Sequence, residues 1–228
     1  MLRKGSSQYG PFVQYLALSL DRSWRSLPEP ERMAQRREFE GAVERDQAKD
    51  FTFSVVGLKK GADLLLWRIA QSVEALQEGA AAMLRIGMGR SLEIAYVYTG
   101  MVRPSTYIRN RTPQEQAVGS SQKLKYLIVY PFTKTVDWYL LGRDIRQRVM
   151  DEHIRIGRRY PSVRQTLVHS FGLDDQEFVV AYETDDLRTF QELVMEMRET
   201  EARRYTLRDT PIFVAVRRDL GEALELLG

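Results

Sequence analysis

The segments VGLKKGADLLLW (56–67) and FGLDDQEFVVAY (171–182) align at an offset of 115, close to half of the 228 residues. A repeat of that period constrains the fold more than any local propensity, because each copy must build the same supersecondary unit. The same offset sets Tyr15 on Tyr130. Around each copy the elements follow one order. In the first half YLALSL (15–20) reads as a strand and residues 29–47 as a charged helix opened by Pro28 and Pro30. FTFSVVGL and DLLLWRIA form a hairpin around KKGA, followed by the helix SVEALQEGAAAMLRI and the strand LEIAYVYTG. In the second half come the strand LKYLIVYPF, a helix over 144–161, a hairpin of VRQTLVHS and EFVVAYET around GLDD, the helix 186–205 and the strand PIFVAV.

Each half is therefore β-α-β-β-α-β, the ferredoxin-like order. The polar link RNRTPQEQAVGSSQ (109–122) separates them, so the expected division is 1–115 and 116–228. The expected fold class is α+β, with two ferredoxin-like repeats joined as a dimeric α/β-barrel-type core. Such an architecture does not by itself fix a function.

Composition removes several functions. Lys and Arg number 34 against 31 Asp and Glu, a net charge of +3, and no basic run carries interleaved aromatics, which argues against nucleic acid. The absence of cysteine excludes disulfides, thiolate nucleophiles and iron–sulfur ligation, and two histidines leave little for a zinc site. No apolar run reaches membrane-spanning length, and PFVQYLALSL, broken by Gln14, reads as a strand and not a leader. The expectation is a cytoplasmic protein with no membrane partner.

One of the two histidines lies in DIRQRVMDEHIRIGRRYP (144–161). At 100° per residue Ile145, Val149, Ile156 and Tyr160 form a narrow apolar arc, with His153 just beyond it and Arg148, Asp151, Arg155, Arg158 and Arg159 opposite. The imidazole therefore points inward, where a polar ring needs a partner. That partner is either a neighbouring core group or a ligand held over a cavity.

Four stretches of the second half, YPFTKTVDWYLL (130–141), MDEHIRIGRRYP (150–161), VRQTLVHSFGLDDQEF (163–178) and MRETEARRY (197–205), resemble the chlorite dismutase family of heme proteins, above all its coproheme decarboxylase branch. YVYTGMVRPSTY (96–107) extends the similarity into the first half. The resemblance implies that His153 is the proximal iron ligand and that Glu201 accepts from its second ring nitrogen. It also implies that Tyr130 carries a radical and that Lys134 lies near a reacting propionate. In an extended strand residues i and i+4 share a face, so Tyr130 and Lys134 can address one planar ligand. Tyr107, Arg198 and Arg109 are implied as propionate anchors, and Trp138 as a heme-side ring. His169 is read as structural.

Gln165 carries the choice of branch. Chlorite-splitting relatives place an arginine there, whereas here Arg164 is one residue earlier and points to the opposite strand face. A neutral amide can hydrogen-bond a peroxide but supplies no fixed positive charge. The resemblance thus implies peroxide-dependent decarboxylation of coproheme III to heme b, with the iron porphyrin as substrate and redox cofactor and hydrogen peroxide as oxidant. A chlorite dismutase-like or peroxidase-like enzyme, or a non-enzymatic heme-binding module, are the alternatives. Heme-binding relatives imply a homopentamer. The sequence departs from the family in its N-terminal LSLDRSW and in lacking a glycine-rich insertion before DWY.

Overall fold

The computed structural model describes residues 10–107, 120 and 122–228. The described chain divides into two compact units, residues 10–102 with 213–228, and residues 103–212. All strand pairings within each unit are antiparallel. Among the described residues no helix is long and apolar enough to cross a membrane.

The first unit holds β1 (Phe12–Leu20), α1 (Glu29–Glu44), β2 (Lys49–Ser54), β3 (Leu64–Ala70), α2 (Val73–Leu84) and β4 (Leu92–Val102). Its strands run β4-β1-β3-β2, the ferredoxin-like order. Pro30 sits in the first turn of α1, where a missing N–H costs nothing, and Ser72 caps α2 by accepting from the Ala75 N–H at 3.1 Å. Alternate strand residues Leu16, Leu18, Leu64 and Leu66 pack with Phe39 of α1 and Met83 of α2 into one apolar core.

The second unit holds β5 (Tyr126–Lys134), α3 (Val136–Leu140), α4 (Arg143–Gly157), β6 (Arg164–His169), β7 (Phe178–Thr184), α5 (Leu187–Arg198) and β8 (Thr206–Arg208). Its strands run β6-β7-β5-β8. The expected strand PIFVAV appears as β9 (Phe213–Arg217), which groups with the first unit and pairs there with β2 through Phe53↔Arg217 and Ser54↔Val216. It is followed by α6 (Leu220–Glu225), whose Leu224 joins the first unit's core. The helix expected over 186–205 stops at Arg198, because the Thr200 hydroxyl donates to the Met197 carbonyl at 2.8 Å and competes with the helical bond. A 3-10 segment, Glu201–Tyr205, follows.

The repeat is real but slips by one residue. Gly57 and Gly172, 115 apart, turn their hairpins at φ of 74° and 70°, a conformation that favours glycine. The first hairpin closes with Val55 N–H to Asp63 carbonyl and the second with Ser170 N–H to Glu177 carbonyl, so the second turn is one residue shorter. Beyond it the offset becomes 114. Since a one-residue slip exchanges the two faces of a strand, Tyr15 is not the counterpart of Tyr130. Tyr15 lies on the face of β1 away from the helices, paired with Trp67 at 5.3 Å between ring centroids. Leu16, on the helix-covered face, corresponds to Tyr130.

The candidate heme site on the second unit

Register places the candidate residues on one face of the second sheet. Gln165 of β6 pairs with Tyr182 of β7, which pairs with Ile128 of β5. Two residues along, Leu167, Val180 and Tyr130 form the next row, and His169, Phe178 and Phe132 the one after. Helix α5 covers this face, since the Tyr182 ring meets Phe190 at 5.2 Å and its hydroxyl lies 4.0 Å from the Met197 sulfur. Arg164 falls on the other face, beside Glu183, as the alternation requires, and its guanidinium donates to the Gln122 carbonyl. Gln165 thus faces the site and Arg164 does not.

Tyr130 and Lys134 do share a face of β5. The Lys134 ammonium lies 5.1 Å from the ring of Phe132, its same-face neighbour, and 4.3 Å over the ring of Trp138. Burial pulls the Lys134 amine down to about 8, and the nearby Glu177 carboxylate opposes that shift. Tyr130 is held well above the usual phenol range, first by burial and then by Tyr182, whose ring centroid is 6.3 Å away. Burial raises Tyr182 itself to about 12. The Arg198 guanidinium acts on both phenols in the opposite sense.

His153 stands in the middle of α4, between the buried Val149 and Ile156. Burial, reinforced by the positive charge of Lys134, brings its imidazole down to about 4. At neutral pH the ring is therefore uncharged, with a lone pair available to a metal. The carboxylate acting on this ring is that of the adjacent Glu152. Glu201 enters this region through its main chain, donating its N–H to Glu152 Oε2 at 3.1 Å. Glu152 is in α4 itself, one residue from the histidine.

The remaining residues fall into place around these. Trp138 is 3% exposed and packs with Val149 and Ala202, with the Tyr205 ring at 5.5 Å and the Tyr107 ring at 6.2 Å. The Tyr107 carbonyl accepts from the Gln147 side chain at 3.3 Å. Arg198 is engaged with Asp209 at 2.5 Å, and Asp209 also accepts from Arg203 at 2.9 Å. His169 packs edge-on against Phe178 at 5.2 Å and alongside Phe171. Arg109 lies outside the described residues. Sequence reasoning missed Tyr182, Glu177, Glu152 and Asp209. Tyr182 had a local signal in its place in a hairpin beside Gln165, and Glu152 in its adjacency to His153. Glu177 and Asp209 depend on contacts between distant segments.

In the first unit the corresponding row is closed. Gln14, Arg68 and Asp50 occupy the level of Ile128, Tyr182 and Gln165. Arg68, fully buried, donates to Gln14 at 2.8 Å, to the Leu76 carbonyl of α2 at 2.8 Å and to Asp50 at 3.3 Å, and forms an ion pair with Asp46. Gly79 of α2 leaves the space for this cluster, since a Cβ there would fall 2.5 Å from the guanidinium. Among the described residues, only the second unit offers an imidazole, phenols and an amine around one sheet face.

The chlorite dismutase family model matches residues 32–218. A coproheme decarboxylase of Mycolicibacterium smegmatis is 33% identical over 166 residues, 72% of this chain and 71% of that protein. A solved mutant of the chlorite dismutase from Candidatus Nitrospira defluvii superposes with a TM-score of 0.88 at 26% identity, covering 96% of each chain. The same enzyme in complex with imidazole gives 0.87 at 26% identity, again over 96% of each chain. On the family model, the relative's identity and the shared fold, the chain belongs to the chlorite dismutase family.

Proposed function

We propose that the chain catalyses the hydrogen peroxide-dependent oxidative decarboxylation of coproheme III to heme b, as a cytoplasmic homopentamer. The observation that carries this reading is the joint placement of Tyr130 and Lys134 on one face of β5, with the Lys134 ammonium within electrostatic reach of a neutral His153. The donor set suits an iron porphyrin. One neutral imidazole is what such an iron needs from the protein, because the macrocycle brings its other four nitrogens. Carboxylate side groups require cations and hydroxyls, which Lys134, Arg198 and Tyr107 supply.

Bound coproheme brings the redox-active iron at which peroxide is reduced. Each reacting propionate loses one hydrogen and its carboxyl group as carbon dioxide, leaving a vinyl, while one peroxide is reduced to two waters. His153 holds the iron. Tyr130 presents an abstractable hydrogen atom to the propionate side, and its burial keeps that hydrogen on the oxygen at neutral pH. Lys134, with its amine poised at about 8, holds the propionate or hands over a proton. Gln165 offers an amide donor and no charge, which suits peroxide better than an anionic chlorite intermediate.

Titration of the purified protein with coproheme, followed by peroxide, tests this. The expected result is a histidine-ligated Soret band and, by mass spectrometry, loss of two carboxyl groups. Oxygen release from chlorite at high turnover would favour a chlorite-splitting enzyme instead. Binding of both coproheme and heme b without conversion would favour a heme-binding module.

A further inference from the structure

The turn before β7 places a carboxylate where strand β5 gives way to helix α3. Glu177 Oε2 accepts the main-chain N–H of Lys134 at 2.7 Å and the hydroxyl of Tyr139 at 2.5 Å. Those two residues bracket Trp138, over whose ring the Lys134 ammonium rests at 4.3 Å. The main-chain N–H of Lys134 is thus tied to the turn between β6 and β7 and, through the same oxygen, to α3. Two charge-assisted bonds from one oxygen fix that corner more firmly than either alone.

We propose that Glu177 is the positioning residue for Lys134, its carboxylate holding the corner between β5 and α3 in the shape that lays the Lys134 ammonium over Trp138. The inference rests on the reading of Lys134 as a working group in decarboxylation, and it deepens that reading. Glu177 acts through Lys134. Its charge also opposes the burial that draws the Lys134 amine downward, so it sets position and protonation together. Phe132, whose ring centre lies 5.1 Å from the ammonium, offers packing but no hydrogen bond to the main chain. Nothing in the local sequence of β5 would hold its last residue in this way.

The test begins with porphyrin-free protein carrying lysine labelled with carbon-13 at Cε. Protons above the Trp138 ring are shifted upfield, and the Lys134 signal is assigned by its absence from Lys134→Arg. Glu177→Ala should move that signal to the position of exposed lysines. Glu177→Gln, which keeps an oxygen acceptor, should leave it upfield. Tyr139→Phe removes one of the two bonds and should shift it part of the way, which keeps the inference testable if Glu177→Ala does not fold. With coproheme and peroxide, kcat should fall by up to about 100-fold in Glu177→Ala, the cost of an ångström-scale misplacement, with KM little changed and with recovery in Glu177→Gln. An unmoved Lys134 signal in both Glu177→Ala and Tyr139→Phe overturns the positioning role. If the parent protein binds coproheme but converts none of it, the decarboxylase reading fails while the lysine signal still decides whether Glu177 positions Lys134.

Discussion

Tyr130 and Tyr182 stand on neighbouring strands with ring centroids 6.3 Å apart and planes tilted by 33°. The pair sits under α5, and Tyr182 is 4% exposed. Two phenols this close in a shielded place share their electrostatics, so each raises or lowers the other's hold on its proton.

Tyr130→Phe keeps the ring and removes only the hydroxyl. Stability should fall by about 1 kcal/mol, the usual cost of one hydrogen bond. Porphyrin binding should survive because His153 is untouched, while decarboxylation should nearly stop, since phenylalanine has no easily abstracted hydrogen. Mass spectrometry of the porphyrin after peroxide reads the result, and equal conversion by parent and variant would remove Tyr130 from the reaction.

His153 is half-buried as a neutral ring at about 4, below its ordinary value of 6.5. A folded value below the unfolded one contributes stability above pH 6.5 that is lost as pH falls from there toward 4. In the porphyrin-free protein the imidazole should titrate at the folded value. Its ring NMR signals should hold the neutral position from pH 7 to about 5 and move near 4. His153→Ala should lack these signals and should melt with less dependence on acid. A midpoint near 6.5 would mean that the ring is not shielded.

Gln165→Arg brings a guanidinium to the row shared with Tyr182. Oxygen release from chlorite should rise by about tenfold, short of the roughly 100- to 1000-fold that one preorganised donor supplies, because the surrounding face is not built to orient the new group. An oxygen electrode measures it. High turnover in the unaltered protein would contradict the assignment to the decarboxylase branch.

Asp50 tests the closed face of the first unit. Burial raises its carboxyl from 3.8 to about 8, with Asp46 adding to the shift and Arg68 opposing it. Folding therefore takes up a proton between those values, so this group's contribution is greatest below pH 3.8 and declines as pH rises toward 8. Asp50→Asn removes the proton uptake while Asp46 still pairs with Arg68. Its melting temperature, relative to the parent's, should climb between pH 5 and 8, by at most about 1.4 kcal/mol per pH unit in stability. Parallel melting profiles would show that Asp50 stays ionised.

Much of this was written locally in the chain. A strand alternates its side chains with period 2, so the shared face of Tyr130 and Lys134 and the opposite faces of Arg164 and Gln165 follow from spacing alone. The inward turn of His153 follows from the 3.6-residue period of α4 in the same way. The order of elements and the duplicated hairpin were also legible, because turns and strands carry their own residue signals.

What spans distant segments was not. The one-residue shortening of the second turn moved the repeat's true counterpart of Tyr130 from Tyr15 to Leu16, which an alignment of similar letters cannot detect. Only strand pairing decided that β9 extends the first unit along β2. Folding set Glu177 at the Lys134 main chain and paired Arg198 with Asp209. Periodicity tells a residue which face it occupies, whereas its partners are fixed by chain closure over tens of residues, and that information exists only once the sheet has formed.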